Sequence, residues 1–180
     1  IEIPKYDFAK SARSDETKPF ERKHGDAVIF EGIHALNPDV ITVPDSKLYK
    51  LYVSVRTRIT KEGIVLNPAK IRLMRRMIRD RNFRKRSLDE TMSMYNSVQA
   101  GENKYIMPYK TRSDYDIDTF LAYEMSVYRY NLLDDLRLME NKQELSDVIE
   151  ILSSLAPMDN ELVPRDALIR EFIGKGEFKY

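Results

Sequence analysis

Two apolar patterns share this chain. Ala27 to Phe30 (AVIF) is an unbroken apolar run ending at Glu31-Gly32, the pattern of a strand buried on both faces of a parallel sheet. Leu48 to Val55 (LYKLYVSV) predicts a second strand, Ile1 to Ile3 the end of another, and Tyr115 to Asp118 a short one. Elsewhere the apolar residues recur at helical spacing. Asn67-Pro68 offers an N-cap followed by a first-turn proline, predicting a helix to about Arg81. Ser87 to Glu90 (SLDE) is a capping box for a helix to about Ala100, which Gly101 can end. Phe120 to about Met139 and Glu144 to Leu155 predict two more helices, and Asp166 to Ile173 a short one stopped by Gly174. Asn37-Pro38 can start a short helix. Strands alternating with helices predict an α/β layered fold with a mostly parallel sheet. Pro157 to Pro164 (PMDNELVP) reads as a linker before a short C-terminal piece.

Composition narrows the class. The 180 residues, 42% of them hydrophobic, are enough for one domain with a sizeable core. Aromatic residues at 10% speak against disorder. No apolar run approaches the roughly 18 residues needed to span a bilayer. The start, IEIPKYDFAK, is not a signal peptide and has no Met, so the chain is expected to begin inside something longer. Without cysteine there is no disulfide framework or thiolate metal site, and His24 and His34 alone exclude a multi-His centre.

Charge is distributed unevenly. The whole chain carries 30 Lys+Arg and 29 Asp+Glu, yet Ile1 to Leu133 holds 24 basic against 18 acidic residues. That asymmetry points to an anionic ligand for the front part. The densest segment is Arg72 to Arg86, RLMRRMIRDRNFRKR, with eight cations in fifteen residues. On a helix, Arg72, Arg75, Arg76 and Arg79 fall within about 100° of one another, opposite Ile71, Leu73, Met74, Met77 and Ile78. Like charges at this spacing repel. Three readings of the stripe stay open on charge alone: a solvated face with Asp80, Asp89 and Glu90 as partners, an RNA-binding surface, and a phosphate clamp of guanidinium forks.

The neighbouring motifs narrow the choice. PKYDFAKSAR (Pro4 to Arg13), VIFEGIHAL (Val28 to Leu36) and the ordered phrases RLMRRMIRD, FRKRS and NKYIMPYKTRSD together resemble the uridine kinase and phosphoribulokinase family of P-loop kinases. The resemblance covers roughly Ile1 to Tyr123. The segment ITKEGIVLNPAK, GENKYIMPY and the ending LIREFIGKG look like one bacterial branch of that family, in which a uridine-kinase-like domain ends a longer protein. The resemblance implies a P-loop NTPase-like parallel sheet with flanking helices and a helical C-terminal region. It implies a kinase portion over residues 1–156, with a lid at about 68–100, and a short extension over 157–180.

It also implies site residues and ligands. Tyr6, Asp7, Phe8 and Arg13 match nucleoside-pocket positions. Glu31 matches the acidic residue that helps hold Mg²⁺. Arg76 and Arg79 match lid arginines that reach the phosphates of ATP and take part in catalysis, and Arg84 and Arg86 match turn arginines near substrate or phosphates. The implied reaction is ATP-dependent phosphorylation of a nucleoside 5′-hydroxyl, in the cytoplasm, without a membrane. A sugar phosphate or pantothenate is the alternative acceptor. Two positions depart from the family: a base-contacting His is Ser11, and a Gln after the lid is Met94. No G-x-x-x-x-G-K-[ST] occurs in the 180 residues. The expectation is therefore a fragment inactive alone, whose partner is the missing N-terminal part of the same protein. A sheet edge lacking its first strands also invites a second copy.

Overall fold

The computed structural model describes residues 1–7, 12–140 and 142–178. The chain divides into two units, Ile1–Ala35 and Leu36–Tyr180.

In the first unit, β1 (Glu2–Asp7) and β2 (Ala12–Pro19) form an antiparallel hairpin. Its register runs from Glu2↔Pro19 to Asp7↔Ala12 and slips between Pro4 and Tyr6, beside a proline that has no N–H for the ladder. Lys5 pairs with Glu16 at 2.8 Å, and the Thr17 hydroxyl donates to Glu2 at 2.7 Å. Ala27–Phe30 does not become the expected strand. Ile29 is 93% and Phe30 73% exposed, because no strand among the described residues pairs with this run, and a lone extended segment has no ladder to join.

The second unit is mixed α/β: a small parallel sheet with flanking helices. Strand β3 (Leu51–Ser54) is followed by the hairpin β4 (Ile59–Lys61) and β5 (Ile64–Leu66), then α1 (Pro68–Arg84), α2 (Leu88–Ser93) and α3 (Tyr95–Tyr105). Next come β6 (Tyr115–Asp118), α4 (Glu124–Leu138), α5 (Ser146–Ser153) and α6 (Arg170–Ile173). Strand β6 lies parallel to β3, from Leu51↔Tyr115 to Ser54↔Asp118. Leu51, Val53, Tyr115 and Ile117 share one face of this pair and are exposed.

Three aspartates at alternate positions bracket the pair. Asp114 accepts the Lys50 N–H at 2.7 Å, and Asp116 pairs with Arg56 at 2.7 Å. Asp118 accepts the Thr57 hydroxyl at 2.7 Å and the N–H groups of Arg56 and Phe120 at 3.0 Å. Slight burial pushes the Asp118 carboxyl up, but these hydrogen bonds outweigh it and hold the group below its ordinary value.

The β4–β5 hairpin falls inside ITKEGIVLNPAK. Its turn residues Glu62 and Gly63 both have positive φ, 51° and 86°, the conformation of a two-residue hairpin turn. Leu66 is fully buried and Lys61 Nζ donates to the Ser154 carbonyl at 3.1 Å. The hairpin thereby props the start of α1 against the end of α5.

Helix α1 begins as its caps predict: the Asn67 side chain accepts the Lys70 N–H, with Pro68 in the first turn. It runs past Arg81 to Arg84 and ends on Lys85 in the left-handed region, whose N–H returns to the Asp80 carbonyl. Ile71, Leu73, Met74, Met77 and Ile78 are all buried, each side chain contributing about 1.5–3 kcal/mol by leaving water. Both halves of the Ser87–Glu90 capping box are present. Gly101 does not end its helix; its Cβ direction is open space, where a mid-helix glycine is tolerated.

Arg75 is the polar centre of the packing. Its Nε donates to Glu124 Oε1 at 2.7 Å and its Nη2 to Oε2 at 2.8 Å, a bidentate fork. The same guanidinium reaches the Thr119 hydroxyl and carbonyl at 2.9 and 2.8 Å, and lies 5.3 Å from the Phe172 ring centre. The Tyr128 hydroxyl donates to Glu124 Oε1. Burial, and then the Glu124 charge, push this phenol well above its ordinary value, so it stays a donor.

The Pro157–Pro164 segment, expected as a linker, packs on α4. The Met158 N–H reaches the Ser126 carbonyl at 3.0 Å, the amides of Asn131 and Asn160 exchange hydrogen bonds, and Val163 is buried. Gly174 ends α6 at φ 82°, and a Cβ there would meet the Phe83 ring at 3.3 Å.

Glu124→Gln should lower stability by about 3–5 kcal/mol, because it strands a buried guanidinium; urea unfolding followed by circular dichroism reads the loss. Asp118 supplies stability of the opposite visibility. Its depressed carboxyl stabilises the fold above the ordinary Asp value of about 4 and ceases to do so as pH falls through the folded value. Asp118→Asn should therefore unfold more easily than the parent at neutral pH, with the two stabilities converging in acid.

Candidate functional site

The arginine stripe divides into two groups once its partners are drawn. Arg72 donates to Glu102 at 2.6 Å, Arg75 is locked on Glu124, and Arg81 pairs with Asp135 while also reaching the Asn131 carbonyl at 2.9 Å. These three hold α1 to α3 and α4. Arg76, Arg79, Arg84 and Arg86 form the second group, at the C-terminal end of α1.

Asp80 sits at its centre and is fully buried. Its carboxylate accepts Arg84 at 2.9 Å and the Thr91 hydroxyl at 3.4 Å, and lies 3.8 Å from Arg86. Its carbonyl accepts the N–H of Arg86 at 3.2 Å and closes the Lys85 cap. Arg84 reaches Asp80 within the helix, and the left-handed turn at Lys85 folds Arg86 back beside it. One carboxylate is shared by several guanidinium groups, and the balance is cationic.

Arg76 and Arg79 register that imbalance. Arg76 has no hydrogen-bond or ion-pair partner among the described residues. Burial works first against its charge, Asp80 favours it, and Arg79, Arg84 and Arg86 oppose it again, leaving its affinity for the proton below the ordinary value. Arg79 buries its Nε without a hydrogen-bond partner and touches Glu171 through Nη1 at a long 3.3 Å. A buried donor left unpaired carries a penalty that an incoming acceptor removes. The arrangement suits a multivalent oxyanion, because guanidinium donors match phosphate oxygens in geometry and charge.

In the first unit, the hairpin register sets Tyr6 opposite Arg13 and Asp7 opposite Ala12. The backbone therefore gathers three of the four expected nucleoside-pocket residues at one end of the hairpin. Arg13 is exposed; Phe8 and Ser11 lie outside the described residues. Glu31 is exposed and stands outside any strand. Among the described residues no group of three or more His, Cys, Asp or Glu is placed to hold a metal. A single carboxylate such as Glu31 fits Mg²⁺ only where phosphate oxygens and water supply the other ligands.

A separate cavity of about 400 Å³ opens beside the C-terminal end of β3, lined by Tyr52, Arg56, Arg58, Arg72, Tyr95 and Glu102 among others. Two of its three arginines are already paired, with Asp116 and Glu102. Among the described residues, no helix is long and apolar enough to cross a membrane.

Two side chains at the arginine group escaped the sequence reading in different ways. Asp80 was legible only as one local acid among several, although its i,i+4 spacing to Arg84 marks it as the close partner. Glu171 lies 92 residues from Arg79, and nothing local connects them.

A parallel sheet flanked by helices, with guanidinium groups gathered at a helix end, has the architecture of a phosphate-handling α/β protein. Comparison with known proteins gives the family. The model of the phosphoribulokinase/uridine kinase family matches residues 1–125, and the chain belongs to this family. A uridine kinase of Staphylococcus haemolyticus is 35% identical over 115 residues, covering 63% of this chain and 48% of the relative. Uridine kinases of Staphylococcus aureus strains JH9 and Newman match with the same identity and coverage. The chain spans about half the length of the curated relatives it matches. No solved structure matches it at comparable significance.

Asp80→Asn should lower stability by about 1–3 kcal/mol, since it removes the charge-assisted bond to Arg84 and leaves Arg86 beside a neutral amide. Sulfate, added at fixed ionic strength in place of chloride, should restore part of the lost melting temperature by replacing the missing charge; thermal unfolding monitored by circular dichroism checks both effects.

Proposed function

We propose that this chain carries the lid and acceptor side of an ATP-dependent nucleoside kinase, which converts ATP and a nucleoside to ADP and the nucleoside 5′-monophosphate. The carrying observation is the group of four arginines beside the buried Asp80 and the nearby Glu171, with Arg76 lacking a hydrogen-bond or ion-pair partner among the described residues and Arg79 Nε buried without an acceptor, in a chain of this family. The names of the relatives favour a pyrimidine nucleoside.

In this reading Arg76 and Arg79 hold the triphosphate and neutralise charge that develops on the transferring group. Arg84 and Arg86, aimed by Asp80, hold phosphate or substrate oxygens. Tyr6, Asp7, Phe8 and Arg13 form the nucleoside pocket, and Glu31 would help hold Mg²⁺, which would supply charge neutralisation of the phosphates. No G-x-x-x-x-G-K-[ST] motif occurs in the 180 residues, so the proposed transfer relies on a phosphate cradle of another origin. A cytoplasmic location goes with these substrates.

The ion pairs of the stripe favour a compact phosphate site over an RNA surface. Arg72, Arg75 and Arg81 are engaged by acidic side chains, which breaks the continuous cationic face that backbone tracking of a nucleic acid needs. Ser11 and Met94 favour a second reading on the acceptor alone, in which a sugar phosphate or pantothenate replaces the nucleoside.

The test assays the protein as encoded, with all flanking polypeptide, on uridine, cytidine, ribulose 5-phosphate and pantothenate. Transfer to a pyrimidine nucleoside is expected, and Arg76→Ala should lower kcat about 10²–10³-fold, the scale seen on losing one charge-stabilising donor. ATP·Mg²⁺ binding with no transfer to any of the four acceptors overturns the kinase reading.

A further inference from the structure

The arginine group is not fully open. Glu171, on α6, places its carboxylate 3.3 Å from Arg79 Nη1. It approaches from a segment beyond residues 1–125, the stretch matched by the family model. Three observations set its character.

The contact is loose. A charge-assisted bond between guanidinium and carboxylate is ordinarily about 2.7–2.9 Å, as Arg75 and Glu124 show in the same fold at 2.7 and 2.8 Å. Glu171 uses one nitrogen of Arg79, while Nε beside it stays buried and unpaired. Both side chains keep roughly a quarter to a third of their surface in water, 27% for Arg79 and 30% for Glu171.

The backbone beneath Glu171 is held firmly. Its neighbour Phe172 packs on the Arg75 guanidinium and offers its carbonyl to Asn82 Nδ2 at 3.1 Å. On the other side, Arg170 is buried and donates to the carbonyls of Asn160, Val163, Pro164 and Gly174. Gly174 lies against Phe83, where a Cβ would meet the ring at 3.3 Å and its φ of 82° disfavours any other residue. The segment is fixed at both ends of the turn, so the freedom at this point belongs to the Glu171 side chain.

The site lacks negative charge rather than positive. Asp80 serves Arg84 and Arg86, and Arg76 has no partner of its own among the described residues. An acid added at the rim of such a group partly neutralises it, and a phosphate bearing more charge and more acceptor oxygens can replace that acid.

We propose that Glu171 is a built-in stand-in for phosphate: it occupies Arg79 in the free protein and is displaced by the phosphate chain that the four arginines bind. The inference rests on the phosphate reading above. It assigns the C-terminal segment a role in setting the affinity of the site. Glu171 weakens phosphate binding by competition and keeps Arg79 oriented when the site is free. Rotation of one side chain suffices, with α6 staying docked on α1.

The probe is tripolyphosphate, titrated calorimetrically into the protein as encoded, with all flanking polypeptide. Glu171→Gln should tighten binding about two- to fivefold, the worth of a half-exposed ion pair. Glu161→Gln removes the same charge from an exposed pair with Lys175 and should leave affinity unchanged. In an Arg79→Ala background, Glu171→Gln should give no gain, because the competition is for that guanidinium. Thermal melts establish that each variant is folded. An equal gain from Glu161→Gln, or a gain that persists without Arg79, reduces the effect to net charge and overturns the inference. Tripolyphosphate binding that Glu171→Gln leaves unchanged overturns the inference alone. No binding to the wild type or to any variant overturns the phosphate reading together with it.

Discussion

A buried guanidinium cannot be left alone, and in this fold Arg75 is given four kinds of neighbour at once. Glu124 matches its charge in a fork, Thr119 offers a hydroxyl and a carbonyl, Tyr128 shares the carboxylate oxygen that meets its Nε, and Phe172 lays a ring over its plane. Those neighbours belong to the end of β6, to α4 and to α6. The desolvation of one charge therefore obliges three segments, distant in sequence, to meet on α1. With α1 fixed in this way, the far end of the helix can carry Arg76, Arg79, Arg84 and Arg86 in a crowded arrangement that repels itself. Burial of Ile71, Met74, Met77 and Ile78 supplies the favourable free energy against which that repulsion is held.

The division of labour along α1 gives the dense charge a purpose that charge counting alone could not. Alternate arginines point to different fates because a helix turns them past different neighbours. Arg72 and Arg75 come round to Glu102 and Glu124, and Arg81 to Asp135. Of the remaining four, Arg84 and Arg86 meet the buried Asp80, Arg76 feels its charge, and Arg79 meets Glu171. The left-handed Lys85 is part of the same device. Ending the helix there returns two backbone N–H groups to Asp80 and turns Arg86 back toward the helix.

Local signals in the sequence were reliable wherever the physics was local. Asn67-Pro68 and the Ser87–Glu90 box set helix starts where expected, because a cap is satisfied within four residues. The strands expected at Leu48 to Val55 and Tyr115 to Asp118 formed at Leu51–Ser54 and Tyr115–Asp118, and the fold paired them in parallel. The failures have a common origin in what lies far away along the chain. Ala27–Phe30 has the composition of a buried strand, but composition does not supply a partner. The linker-like Pro157–Pro164 became a packed segment because Asn131 and Ser126 of α4 meet its polar groups. Gly101 failed to stop α3 because a glycine with open space around it is a weak instruction. Family motifs singled out the arginines of α1 and the turn after it. Only the fold placed Asp80 beneath the arginines and Glu171 beside them.

The parallel pair of β3 and β6 imposes an order of assembly. Their ladder joins residues on opposite sides of the β4–β5 hairpin, α1, α2 and α3. Closing so long a loop for four residue pairs is entropically unfavourable until the intervening chain has compacted. The helices, whose contacts begin locally, can form first and bring the strand ends within reach. Asp114, Asp116 and Asp118 then act as latches on a joint that the intervening helices have already aligned, which makes the sheet later to acquire its shape than the helices it encloses.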